Sequence, residues 1–175
     1  MQPTAEQFTE KAWAGIVAAQ QLAQNARHQQ LETEHLLLAL LQQNGLAGRI
    51  LTKAGVDASS FQASVEAHLT RQPSMTTAPE SVFLGRSLNA SLDRAEQQRD
   101  SFGDSYIAIE HLLLALANDD RCGRQLLAQT GVDSSKLKEA ITAVRGNQAV
   151  TDQNPEATYE SLEKYGRDLT SAARD

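Results

Sequence analysis

Glu34-His35-Leu36-Leu37-Leu38-Ala39-Leu40 and Glu110-His111-Leu112-Leu113-Leu114-Ala115-Leu116 are the same seven residues, and the spacing between them decides how the rest of the chain is read. Laying residue 34 on residue 110 gives an offset of 76 residues, which also lays Gly55-Val56-Asp57 on Gly131-Val132-Asp133 without a gap. A leucine-rich heptapeptide alone is common in helical proteins. Two landmarks sharing one register over so long an interval mark an internal duplication.

Each copy reads as four helices. Thr4-Ala5-Glu6-Gln7 has the form of a capping box, with the hydroxyl at the N-cap and Gln three residues on, and predicts a long helix to about Arg27 with Phe8, Ala12, Ile16, Ala19 and Ala23 on its core stripe. Thr33 is placed to cap a second helix from Glu34 through Leu41. A third, Leu46 to Ala54, stops at Gly55, which suits a left-handed residue just past a helix end. Asp57 caps a fourth, with Phe61, Val65 and Leu69 on one face. The second copy repeats the plan: a long helix from about Glu80 to Ser101, one from Glu110, one ending before Gly131, and one capped by Asp133 and lined by Leu137, Ile141 and Val144. The fold class is all-α, with two pseudo-symmetric four-helix repeats of about residues 4–70 and 80–146, some eight helices in all.

Composition agrees. Four prolines and about 5% aromatic residues in 175, among abundant Ala, Leu, Gln and Glu, favour helix, because unbranched side chains lose little freedom there. Sixteen Lys and Arg against 22 Asp and Glu give a formal charge of −6, which argues against a surface built to grip nucleic-acid phosphates or anionic lipid. Cys122 is the single cysteine, so no intramolecular disulfide and no multi-cysteine zinc cluster can form, and a reducing cytoplasm fits. The start, MQPTAEQFTEK, has no cationic flank leading into an apolar core, and no stretch approaches the roughly 18 apolar residues of a membrane span.

Two stretches break the helical pattern. Residues 71–79, with Pro73 and Pro79 among small polar residues, read as an exposed connector between the repeats. Residues 147–157, polar and turn-rich around Pro155, read as a flexible linker, and helix-like sequence resumes at 158–175. That last piece is too short to fold alone and reads as the start of a further module, so the chain is expected to be a piece of a longer protein.

The doubled EHLLLAL with its trailing Gly-Val-Asp resembles the Clp amino-terminal repeat, which caps ring-forming ATPases, and the likeness covers residues 4 to 146. Tyr159-Glu160-Ser161-Leu162-Glu163-Lys164-Tyr165-Gly166-Arg167-Asp168-Leu169-Thr170 looks like the lead-in to the first ATPase module of the ClpB-type disaggregases. The resemblance implies a parent that is a homohexameric ATPase with a coiled-coil insertion, using ATP and magnesium and working with a DnaK-type chaperone on aggregated polypeptide. None of that engine is in this chain. No GxxxxGK[ST] phosphate loop occurs, so the fragment is expected to hold no cofactor, to be no enzyme and to be a monomer.

By position in the family's motifs, Thr9, Asp104 and Glu110 are the residues the resemblance links to substrate handling. Leu88 and Leu92, one turn apart on the long second-half helix, are the expected floor of an apolar groove for unfolded clients. Trp13 lies four residues beyond Thr9, on the same side of the first helix, as a further contact. Packing and helix-start electrostatics compete with each assignment, since carboxylates near a helix N-terminus are stabilised by roughly 0.3 to 1 kcal/mol without any ligand. Glu34 reads as a helix anchor. Thr33 precedes it where Ile109 precedes Glu110, so only the first copy has a hydroxyl cap. His35 and His111 are not an HExxH pair, so no metal site is assigned to them. Ser105 and Cys122 read as structural.

The leading function is therefore a binding module that weakly holds hydrophobic stretches of unfolded or aggregated polypeptide for the ATPase ring. The alternative is a docking domain for an adaptor or phosphoarginine mark, as in protease-linked ClpA and ClpC relatives. A free-standing enzyme comes last, because no catalytic constellation is visible.

Overall fold

The computed structural model describes residues 1–157 and 159. Among the described residues, eight complete α-helices run in chain order: α1 Glu10–Asn25, α2 Thr33–Gln42, α3 Leu46–Lys53, α4 Ala58–Thr70, α5 Arg86–Phe102, α6 Ile109–Ala117, α7 Gly123–Ala128 and α8 Ser134–Arg145. The offset of 76 carries α1 to α4 onto α5 to α8, so the duplication seen in the sequence is a duplication of structure.

The repeated heptapeptide forms the two central helices. Every residue from Thr33 to Leu41 and from Ile109 to Ala117 is buried, the glutamates and histidines included. A helix buried on all sides has no amphipathic face to orient it, so neighbours must surround it. The other helices supply them, with Ala12, Ile16, Ala19 and Ala23 from α1, Phe61, Val65 and Leu69 from α4, and Leu137 and Ile141 from α8 in one continuous core. Gly55 and Gly131 end α3 and α7 with φ of +94° and +80°, a backbone conformation that glycine alone adopts without strain. Asp57 and Asp133 then cap α4 and α8 by accepting main-chain N–H bonds, as their positions foretold.

The two copies exchange short extended segments. Gln30–Leu31 (β1), ahead of α2, pairs in parallel with Phe83–Leu84 (β2), ahead of α5. At the offset position Phe8, ahead of α1, bridges Ile107, ahead of α6. Each long helix is thus entered from a strand lying against the other copy, and the repeats clasp reciprocally.

Three expected boundaries are corrected. Thr4 and Gln7 do form a capping box, but it closes a single 3-10 turn, Ala5–Gln7, and α1 begins only after Thr9. The cause is Phe8, which is fully buried and needs extended backbone to meet Ile107. The same need at Phe83 and Leu84 delays α5 to Arg86 instead of Glu80. Thr33 is the first residue of α2, not its cap, and its hydroxyl donates to Asp119 Oδ2 at 2.7 Å.

The stretch expected as a free linker lies along the body instead. Val150 is fully buried and its N–H donates to Asp104, Ser105 N–H donates to the Val150 carbonyl, and Glu10 N–H donates to the Gln153 carbonyl. Residues 71–78 are mostly exposed coil, as the connector reading requires. The helix-like tail foreseen at 158–175 falls, Tyr159 apart, outside the described residues. Among those described, no helix is long and apolar enough to cross a membrane.

Candidate functional site

Two polar clusters surround the N-termini of the central helices. They start from one shared device. The main-chain N–H preceding each helix, of Glu32 and of Ala108, donates to Nδ1 of the histidine three residues on, His35 at 2.9 Å and His111 at 2.8 Å. The imidazole does here what Gln does in a capping box. Because Nδ1 accepts, the ring proton sits on Nε2, and it points at the residue seven positions back, which is His28 in one copy and Asp104 in the other, at 2.8 and 2.7 Å. Burial favours the uncharged ring in both, lowering His35 to about 4 and His111 in the same direction against the pull of Asp104. Both nitrogens of each ring are engaged by the protein.

Around the second copy the cluster is sealed. Arg145, from the last turn of α8, forks both Asp104 oxygens at 2.8 and 2.7 Å and also donates to the Gln148 carbonyl. Val150 N–H adds a further bond to Asp104 at 2.9 Å. Burial alone would raise the Asp104 carboxyl, but His111, Arg145 and Val150 together hold it well below the usual range. Glu110 is different. It is 1% exposed, lies 3.7 Å from an Arg145 nitrogen already committed to Asp104, and neither carboxylate oxygen has a hydrogen-bond partner among the described residues. Burial pushes it up to about 7 despite Arg145. Glu156, which accepts the Thr9 hydroxyl bond at 2.7 Å, is raised by burial too.

Around the first copy the cluster opens to solvent. Arg121, a third exposed, forks Glu34 through Nε and Nη2 at 2.8 to 3.1 Å and reaches Glu32 at 3.2 Å. Burial of Glu34 is outweighed by Arg121, which keeps its carboxyl below the ordinary value. His68 and the Cys122 thiol stand 3.7 and 3.8 Å from Glu34 Oε2. Above this group lies a depression of about 280 Å³ lined by Gln29, Gln30, Glu32, Gln72, Pro73 and Arg121, among others.

The six residues expected to touch clients divide unevenly. Leu88 and Leu92 are each 1% exposed and belong to the core, so they floor no groove. Thr9 is fully buried as the N-cap of α1, accepting from Ala12 N–H. Asp104 and Glu110 are interior members of the sealed cluster. Only Trp13, partly buried and tilted against Phe8 with ring centroids 5.7 Å apart, keeps surface to offer. The sequence reading missed both arginines. Arg145 carries a signal in hindsight, since it extends the Leu137–Ile141 stripe by four residues and stands where the first copy has Leu69. Arg121 stands where the first copy has Gly45, in a loop, and carries none.

The family model for the Clp repeat (R) N-terminal domain matches residues 7–127. Over all 175 residues the chain is 81% identical to Chaperone protein ClpB 1 of Parasynechococcus marenigrum, and over 177 aligned positions, again its full length, 56% identical to the ClpB of Gloeobacter violaceus. It spans 20% of the length of each of these relatives. Among solved structures, the Hsp104 N-terminal domain from Candida albicans superposes with a TM-score of 0.77 at 25% identity, covering 85% of this chain and 98% of that one. The N-terminal domain of the ClpV1 ATPase from E. coli gives 0.69 at 25% identity, covering 86% and 91%. With its doubled heptapeptide, reciprocal strands and paired helix-start histidines, the chain belongs to the Clp repeat N-terminal domain family, in the form carried by ClpB chaperones.

Proposed function

We propose that this domain holds exposed segments of unfolded or aggregated polypeptide and passes them to an ATPase ring carried by the longer protein. The observation that carries the reading is the rim of the open cluster. Phe83 and Met75, 58% and 40% exposed, are two of the few large apolar side chains left in solvent, and both are tied by main-chain bonds to the edge of the depression. Phe83 N–H donates to the Gln29 carbonyl at 2.9 Å and Met75 N–H to the Arg27 carbonyl at 2.8 Å. Glu32 and Glu34 lie in the floor against one arginine. Apolar side chains beside a net acidic floor suit a client rich in hydrophobic and basic residues. This moves the client contacts from the buried Leu88 and Leu92 to the exposed Phe83 and Met75.

In this reading ATP, magnesium, the hexameric ring and the DnaK-type partner all belong to the remainder of a cytoplasmic protein, and this domain performs no chemistry. A loading site must let go, so dissociation constants near micromolar or weaker are expected, about −8 kcal/mol or smaller in magnitude. The test is a titration of the labelled chain with a reduced, alkylated unfolded protein, followed by amide resonances. Shifts are expected at Gln29, Gln30, Met75 and Phe83, and Phe83→Ser combined with Met75→Ser should weaken binding at least fivefold. Shifts spread evenly over the surface, or affinity unchanged in the double variant, would refute the assignment.

A further inference from the structure

We propose that Glu34, His68 and Cys122 form a site for one divalent transition-metal ion of the zinc class. The three come from different elements, α2, α4 and the loop before α7, and their donor atoms all lie within 4.8 Å of one another. The Glu34 Oε2 atom is 3.7 Å from His68 Nε2 and 3.8 Å from Cys122 Sγ. In a tetrahedral zinc site, with bonds of about 2.0 Å to N and O and 2.3 Å to S, donor atoms stand roughly 3.3 to 3.6 Å apart. Two of the three edges are already near that size. Closing the third needs movement mainly of His68, which is partly exposed and would exchange its contact with Gln72 for the ion.

Gln72 occupies the histidine nitrogen that would turn to the metal. Its Nε2 lies 3.3 Å from His68 Nε2 and donates to the His68 carbonyl at 3.0 Å, while Arg121 Nη2 donates to its Oε1. An amide nitrogen only donates, so binding an ion requires the single lone pair of His68 Nε2 to exchange Gln72 for the space beside Glu34 Oε2, 3.7 Å away. The loop that presents the thiol is held firmly: Asp119 Oδ2 accepts from Cys122 N–H at 2.9 Å, Gly123 N–H at 3.0 Å and the Thr33 hydroxyl at 2.7 Å.

Charge and donor type agree. Glu32 and Glu34 share the Arg121 guanidinium, and Asp119, which accepts only main-chain and hydroxyl bonds among the described residues, adds a further negative charge, which leaves room for positive charge. As the metal–sulfur bond forms, the Cys122 S–H bond breaks and its proton passes to solvent, adding one more negative charge to balance the ion. Arg121 need not leave. It holds Glu34 Oε1 through two nitrogens at 3.1 and 3.0 Å and donates from Nε to Oε2 at 2.8 Å, so Oε2 would share its second lone pair with the metal while Oε1 keeps the arginine, an outer support of the kind such carboxylates have. One thiolate, one imidazole and one carboxylate select zinc or cobalt over magnesium or calcium, and the fourth position falls to water from the depression.

The test uses the whole chain, stripped with chelator and kept reduced, titrated with cobalt(II) and then zinc(II). One equivalent of cobalt should bind with a near-ultraviolet thiolate-to-metal charge-transfer band that zinc abolishes. Cys122→Ser should remove the band, and His68→Gln should lower affinity at least tenfold, since losing even the outer support of a ligand costs 10–100-fold. The histidine variant sits at a partly exposed position and carries the test alone if the cysteine variant does not fold. Binding without the band, binding untouched by His68→Gln, or no binding at several equivalents would each overturn the proposal.

Discussion

The two copies place the same glutamate at the same point of the same buried helix and then treat it in opposite ways. Glu34 is paired: Arg121 makes three short hydrogen bonds to it and solvent reaches that arginine. Glu110 is stranded: the nearby Arg145 spends its fork on Asp104, and residues 148–156 close the cluster from outside. The duplicated motif therefore fixes where the carboxylate stands, while residues outside it fix whether that carboxylate carries charge. The divergence begins at one offset pair, His28 against Asp104. An imidazole ends the hydrogen-bond chain in the first copy, whereas a carboxylate in the second is met by a buried cation.

Removing the cations should give the largest difference. Arg145→Ala leaves Asp104 buried without its countercharge and unties the Gln148 carbonyl, so a loss of about 3–5 kcal/mol is expected. Arg121→Ala breaks as many bonds, but at a site that water enters, and should cost about 1–2 kcal/mol. Urea unfolding of the two variants measures the contrast. Equal losses would mean that the second cluster is no drier than the first.

Neutralising the glutamates should split the copies by sign. At pH 8, Glu110→Gln removes the need to hold in the interior an ionised carboxylate that has no hydrogen-bond partner among the described residues, and should stabilise the chain by about 1–3 kcal/mol. Glu34→Gln removes a paired charge and should destabilise by about 1–2 kcal/mol. The pH profile sharpens this. With Glu110 raised from 4.5 to about 7 on folding, the folded chain binds more protons than the unfolded one between those values. The Glu110 contribution should therefore fall as pH rises through that window, against opposite contributions from His35 and His111, so Glu110→Gln should gain stability relative to the parent chain as pH rises from 5 to 7. Asp104 and Glu34 act oppositely, since their lowered carboxyls contribute stability at neutral pH that is lost as the pH drops below the ordinary carboxylate range. A difference between the parent chain and Glu110→Gln that stays constant from pH 5 to 7 would contradict the raised carboxyl of Glu110.

Where local chemistry decided structure, the sequence could be read. The repeat, Gly55 and Gly131 at helix ends, Asp57 and Asp133 as caps, and the stripes of α1, α4 and α8 all follow from short-range rules, and all are present. What failed depended on the other copy. Phe8 and Phe83 read as helix because nothing nearby forbids it; partners about a hundred and about fifty residues away hold them extended. Leu88 and Leu92 read as a possible groove because period alone does not say whether an apolar stripe is covered, and here it is. Residues 147–157 looked free for the same reason, since a polar, turn-rich run gives no hint that Val150 and Glu156 dock on distant side chains. The candidate site suffered most, because its charges are paired across the repeats: Arg121 lies 87 residues from Glu34.

The smallest effect tests the device the copies share. His35→Ala leaves the Glu32 N–H without its acceptor at a buried helix start, which should cost about 1 kcal/mol, the usual worth of an N-terminal cap. His111→Ala should cost somewhat more, because the second bond it loses is to the buried carboxylate of Asp104, where His35 loses one to His28. If the imidazole matters as a backbone acceptor rather than as a ring, glutamine should replace it in part, since this chain already uses Gln7 in the same way to accept from Thr4 N–H at 2.9 Å. His35→Gln should thus recover about half of what His35→Ala loses, as read from thermal or urea midpoints. A glutamine variant as unstable as the alanine one would shift the role of His35 to its edge-on packing with His28, where ring centroids lie 5.1 Å apart, and the two copies would then share a sequence without sharing its purpose.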